Sequence, residues 1–492
     1  MLALNWMIPS TSRSGLFLTD ENIVNQMKHQ RSFTHPYIPN SAPKTKQDML
    51  TELGAESCDE FYEDIPSSLR VDGQLDLPPP KLSEFALQRH VGAILNKNQT
   101  VEENLSFLGG GCFHHHVPAI CDEVNQRGEF LTAYAGEPYD DHGRFQATFE
   151  YTSMMGDLLN MDIVNVPVYD GYQAAATAVC MAARIAKRKT VLVAQTINPA
   201  LLSKIRDHSQ SQISIKLIPN DPHTGQLDLS ALRANMDADT AAVFIENPSY
   251  LGLIETQGDD IAAIAHEAGA LLVVYAEPLS LGVLTPPADY GADIVCGDIQ
   301  ALGVPMQYGG GHAGYIASRD EEPIVLEYPS RLFGIAPTTV PGEYGFGDVA
   351  YERTSFAVRE QGKEWVGTAS ALYGITAGVY LATMGPVGME EIGRTIMSNC
   401  QYAMQMLDAI DGVTAPRFAA PCFREFVVDF NDTGKSVNDI NHALLEFGIY
   451  GGIDLSSNFP ELGQCALYCF SETHSSEDID YLASTLARVV AQ

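Results

Sequence analysis

A rhythm between residues 171 and 296 narrows the possible folds more than any other feature of this chain. Five short runs, at 190–193, 213–218, 241–245, 271–275 and 292–296, are apolar or β-branched. Their length and composition predict strands, and their near-continuous apolarity predicts burial on both faces, as in a parallel sheet. The stretches between them have helical spacing. Residues 260–268 form one such stretch, closed by Gly269. Residues 144–160 and the alanine-rich 171–187 predict two longer helices. Strand alternating with helix implies an α/β domain whose mostly parallel sheet is covered on both sides. A further helix is predicted over 374–384, stopped by Gly385-Pro386. Residues 390–492 then alternate helix, strand and helix, with the clearest strands at 426–430 and 466–470. The predicted organisation is an N-terminal extension (1–34), a helical segment (35–104), a large α/β domain (105–385) and a smaller C-terminal α+β domain (386–492).

Composition excludes several classes of function. The net charge is −33, from 62 acidic and 29 basic residues, yet charged residues make up only 18%. That is below the usual ~25%, so the acidity reflects scarce Lys and Arg. Such a chain is unsuited to nucleic-acid backbones or anionic membranes. Nine cysteines without a C-x-x-C pair predict free thiols in a reducing compartment. No run reaches the ~18 apolar residues of a membrane span, and Met1–Gly15 has no signal-peptide pattern. A soluble cytoplasmic protein is the expectation.

Gly109-Gly110-Gly111 precedes His114, His115 and His116. No Gly-Lys-Ser/Thr follows, so this is not a phosphate loop. Neighbouring histidines on an extended chain point to opposite sides, and no partner acids stand at ligand spacing, so a polar loop is expected rather than a metal site. A second run, Gly309-Gly310-Gly311, follows Gly297-Asp298-Ile299-Gln300 at a strand end, where open parallel sheets bind ligands. No lysine lies between Lys216 and Lys363. The late strand ends therefore offer no amine to a carbonyl cofactor such as pyridoxal phosphate (PLP).

Longer motifs carry a resemblance. Phe107-Leu-Gly-Gly-Gly111, His115-His-Val-Pro118, Gly128-Glu-Phe-Leu-Thr-Ala-Tyr134, Tyr169-Asp-Gly171, Pro278-Leu-Ser-Leu-Gly-Val-Leu284, Gly291-Ala-Asp-Ile-Val295 and Tyr450-Gly-Gly452 are similar to subunit 1 of glycine dehydrogenase (decarboxylating), the glycine cleavage system P-protein. The resemblance covers about residues 35–490. It implies a PLP-dependent fold of type I, like aspartate aminotransferase. It also implies a paralogous subunit 2 that carries the cofactor lysine, with Gln300 at the matching position here. Such a pair decarboxylates glycine, with the pyridine ring as electron sink, and passes the aminomethyl group to the lipoyl arm of the carrier H-protein. Tyr134 is then the leading candidate to reach a cofactor site between the subunits. His115, Glu137 and Tyr169 are further candidates, and no metal is implied. This sequence departs from the family pattern at Ala135–Gly143, at Glu343 after Pro341-Gly342, and over Gly362–Ser370. Basic groups suited to a carboxylate or phosphate are missing there. A diverged paralogue acting on another amino acid and a catalytically silent interaction subunit therefore stand beside the glycine-decarboxylating reading.

Overall fold

The computed structural model describes residues 37–71, 75–78, 81, 83–131, 142–308, 310–364, 366 and 369–491. The chain forms two compact units, Met1–Lys97 and Asn98–Gln492. In the first, helix Pro43–Leu53 begins on proline and ends at Gly54 in the left-handed conformation. Helix Glu84–Leu95 follows, its first turn capped by Ser83 Oγ, which accepts from Ala86 N–H at 3.2 Å.

The second unit is built on a seven-stranded sheet. In chain order its strands follow a short strand β1 (Leu105–Ser106). They are β2 (Ile163–Val164), β3 (Thr190–Ala194), β4 (Ser214–Ile218), β5 (Thr240–Glu246), β6 (Leu271–Tyr275), β7 (Ile294–Asp298) and β8 (Gly314–Ser318). Their spatial order is β2-β8-β7-β6-β5-β3-β4. Strands β3 to β7 run parallel, and β8 is antiparallel to both β7 and β2. All five predicted strands are present, shifted by no more than two residues at either end.

Side chains alternate between two cores with the two-residue period of a strand. On β5, Ala242 and Phe244 join the core under helix Gly171–Ala186, whereas Val243 and Ile245 join the core on the opposite face. Helices His142–Leu159 and Gly258–Glu267 contribute to that opposite core.

The predicted helix at 374–384 is present and ends where expected, at the non-helical Gly385 (φ 57°, ψ −178°), within a helical stretch of two segments that spans Ala371–Asp408. Proline suits the first turn of a helix, so Pro386 opens a second helical segment as well as stopping the first. Residues 332–349, which periodicity had not marked as strands, form an antiparallel hairpin of β9 (Leu332–Pro337) and β10 (Tyr344–Val349). Its Phe333 and Phe346 pack on Phe145 and Phe149, with ring centroids 4.8 and 5.3 Å apart.

The C-terminal part has its own core around the three-stranded antiparallel sheet β11 (Glu425–Asp429), β14 (Cys465–Cys469) and β13 (Ile453–Asp454). Between β11 and β13 in the chain comes β12 (Ile449–Tyr450), which pairs in parallel with β1. Phe107, just after β1, is fully buried in this core and accepts a hydrogen bond from Cys469 N–H at 2.9 Å. Among the described residues, no helix is long and apolar enough to cross a membrane.

Candidate active site

The carboxyl ends of β5, β6 and β7 converge on a cavity of about 60 Å³. Each end brings an acid: Glu246 closes β5, Glu277 follows β6 and Asp298 closes β7. The opposite wall comes from the C-terminal part. The segment after β5 forms a β-bridge between Leu253 and Cys422, and Gly252 O accepts from Phe423 N–H at 3.0 Å. These bonds carry Phe423, Arg424 and Glu425 to the cavity. Gly252 has φ +80°, and a Cβ there would lie 1.9 Å from the Glu425 carbonyl oxygen, so only glycine fits.

The acids are held by main-chain donors. Glu246 Oε2 accepts from Asn198 N–H at 2.9 Å and Tyr250 N–H at 3.1 Å. Glu425 Oε1 accepts from Gly110 N–H at 2.6 Å. Burial nevertheless dominates, pushing Glu246 up to about 8 and Glu425 up to about 7. Glu277 is also raised by burial, while the Arg424 guanidinium works against that shift. The first glycine run now has a physical reason. A Cβ on Gly109 would sit 2.2 Å from Glu425 Oε1, and Gly110 needs φ +76°.

Asp298 occupies the first turn of helix Gly171–Ala186. Its Oδ2 accepts from Gly171 N–H at 2.7 Å, and Asp170 Oδ1 accepts from Gln173 N–H at 2.6 Å. A Cβ on Gly171 would meet Tyr275 Oη at 2.5 Å. His312 Nδ1 lies 3.2 Å from Asp298 Oδ2. That carboxylate, helped by Cys112, raises the imidazole to about 10.

Gln300 lines the same cavity two residues beyond β7 and is 1% exposed. Its amide is fully engaged. Oε1 accepts from Phe113 N–H at 3.0 Å, and Nε2 donates to Phe113 O and Val304 O, both at 3.0 Å. The side chain clips the Gly109–His116 segment to the end of the sheet. His115 is buried beside it, 5% exposed, with Nδ1 3.0 Å from Phe113 O and 3.4 Å from Gln300 Nε2. Burial lowers it to about 4, so the ring is neutral near pH 7. Tyr169 is 52% exposed and is not among the residues lining the cavity. Tyr134 and Glu137 lie outside the described residues. So does Gly309; Gly310 and Gln307 form an isolated bridge beyond β7. Glu343, in the Pro-Gly-Glu departure expected near a cleft, sits exposed in the turn of the β9–β10 hairpin, bonded to Thr338 and Val340.

Sequence reasoning missed Glu246, Glu277, Arg424 and Glu425. A signal for the first two was available, because an acid stands at or just past consecutive parallel strand ends, where ligand crevices form.

A model of the glycine cleavage system P-protein family matches residues 35–486. The probable glycine dehydrogenase (decarboxylating) subunit 1 of Geobacillus kaustophilus is 38% identical over 92% of this chain and 98% of its own length. Its namesake from Staphylothermus marinus is 35% identical over 93% and 98%. Among solved structures, an inhibitor-bound glycine decarboxylase (P-protein) of the glycine cleavage system superposes with a TM-score of 0.79. It is 32% identical and is matched over 91% of this chain and 98% of that one. The sphingosine-1-phosphate lyase of Burkholderia pseudomallei shares the fold at 15% identity, with a TM-score of 0.62 over 87% of this chain and 94% of that one. The architecture is PLP fold type I, as expected from the sequence.

As a cradle for PLP, however, this cavity's donor set does not fit. No lysine stands at the strand ends. The helix N-terminus that could hold a phosphate is already filled by Asp170 and Asp298. Arg424 is the only Arg or Lys among the described lining residues, facing Glu246, Glu277 and Glu425. With that exception at the cofactor, the family model, the relatives and the fold agree: this chain belongs to the glycine cleavage system P-protein family.

Proposed function

We propose that the chain is subunit 1 of a PLP-dependent glycine dehydrogenase (decarboxylating), active only with a paralogous subunit that holds the cofactor on its own lysine. The observation that carries this reading is Gln300. At the strand end where the family resemblance puts the cofactor lysine, this chain has an amide spent wholly on structure. The relatives' name, subunit 1, supports the need for a second chain. The pair would decarboxylate glycine and pass the aminomethyl group to a lipoyl carrier of the H-protein type.

Within that reading, Tyr134 and Glu137, which lie outside the described residues, are the candidates to contribute to the partner's cofactor site, and Tyr169 is exposed. His115 serves from within by holding the glycine-rich segment in place. The test is glycine–bicarbonate carbon exchange with each subunit alone and with both mixed. Exchange only in the mixture is the expected result. Exchange or PLP absorbance from this chain alone would overturn the reading. Tyr134→Phe in the mixture separates a contributing subunit from a silent one, because a silent scaffold would keep the full rate.

A further inference from the structure

Arg424 is the least satisfied group in the cavity. It is 1% exposed, and none of its three guanidinium nitrogens makes a hydrogen bond. The carboxylate oxygen Glu277 Oε1, at 3.8 Å, is beyond hydrogen-bond reach. The guanidinium carbon lies 4.5 Å from the centre of the Phe113 ring, a cation–π contact that does not satisfy its N–H groups. The backbone of Arg424 is held at φ +61°, a conformation that costs free energy in a residue other than glycine. A buried planar donor of this kind is matched by a carboxylate accepting two parallel hydrogen bonds.

The same cavity is lined by Glu246 and Glu425, each anchored from one side by main-chain N–H groups. Their burial disfavours the charged form until a cation comes close. One small space thus holds a guanidinium that is ion-paired with Glu277 but has no hydrogen-bond acceptor, and two further buried acids, Glu246 and Glu425. A lone anion would satisfy the arginine and repel the glutamates, and a lone cation would do the reverse. A molecule carrying both charges a few atoms apart suits all three. The space of about 60 Å³ exceeds what one water molecule needs and suits a small ligand.

We infer that this chain's own cavity binds a free small zwitterionic amino acid, with its carboxylate on Arg424 and its ammonium group on Glu246 and Glu425. No lysine is at hand to consume the molecule, so it is held and released unchanged. This goes beyond the role proposed above, because it concerns a second site that needs neither the partner nor the cofactor.

The test is calorimetric titration of the purified full-length chain, without partner, using glycine, acetate and methylamine as probes. Saturable heat with glycine and none with the two half-molecules is the expected result. Arg424→Gln and, separately, Glu246→Gln should weaken glycine binding about tenfold or more, each removing a charge-assisted contact. Circular dichroism identifies a variant that fails to fold, and the other variant then decides. A cavity filled by water alone gives no heat with glycine. That outcome, equal binding of methylamine, or undiminished binding by a folded variant would overturn the inference. Glycine–bicarbonate exchange plays no part in this readout, so its failure and failure here are distinguishable.

Discussion

Replacing Gln300 with alanine separates a structural clip from a residue of the chemistry. The wild-type side chain makes three buried hydrogen bonds of 3.0 Å, two of them to the main chain of Phe113. Each such bond contributes about 1 kcal/mol net, so the substitution should cost the segment about 3 kcal/mol of local stability. At about 1.4 kcal/mol per decade, this raises the population of the open segment roughly a hundredfold. Hydrogen exchange of the isolated chain, read by mass spectrometry, measures this locally and does not require a two-state transition of a large molecule. Amides in residues 107–117 should exchange about a hundredfold faster, while those of Glu425–Asp429, in the neighbouring sheet, change little. Exchange in 107–117 within about threefold of wild type would refute the idea that Gln300 ties this segment down.

Other outcomes follow from the same geometry. Gln300→Lys supplies the missing amine but leaves Asp298 on the Gly171 N–H, so the variant should gain no saturable PLP absorbance; a gain would mean that a phosphate cradle exists after all. Gly252→Ala should cost about 3 kcal/mol or more, seen as lost soluble yield or a lower melting temperature, because its Cβ would meet the Glu425 carbonyl oxygen at 1.9 Å. His312 is raised from 6.5 to about 10, so its pairing with Asp298 stabilises the fold fully below pH 6.5 and loses that effect as pH rises through about 10. The stability gap between wild type and His312→Gln should therefore narrow across that window, and a constant gap would count against the pairing. In a native thiol titration, Cys58 and Cys112, the two partly exposed cysteines of nine, should react first, the remainder only after unfolding.

The sheet was legible because its period is written in single residues. Ala242, Val243, Phe244 and Ile245 face alternate cores, and a run apolar at every position is what two-sided burial requires. Asp170 at the start of helix Gly171–Ala186 is likewise a local signal, since a short acid caps the first turn. The β9–β10 hairpin was hidden because Gly334, Gly345 and Gly347 dilute its strand pattern. Its registration comes instead from paired main chains and from aromatic contacts with a helix almost 200 residues earlier. Arg424 was the hardest to see. Nothing near it in sequence marks a site; its place depends on a left-handed backbone and on the Leu253–Cys422 bridge. The acids at the strand ends were within reach of a simple rule, but the cation facing them was not.

The pairing of β1 with β12 bears on how the chain is made. Leu105 and Ser106 find their partners only at Ile449 and Tyr450, and Ser106 O receives a contact from His474 Nε2, 368 positions later. A ribosome adding about 5–20 residues per second needs some tens of seconds to cover that distance. Through that time the segment ahead of the glycine run has no native neighbour, and Phe107, fully buried at the end, stays open to solvent or to a chaperone. The parallel strands β3 to β7 can settle while they emerge. The cavity cannot, because Arg424 and Glu425 arrive near the end of synthesis. A nascent chain arrested before residue 423 would thus carry all seven strands of the sheet and none of Phe423, Arg424 and Glu425.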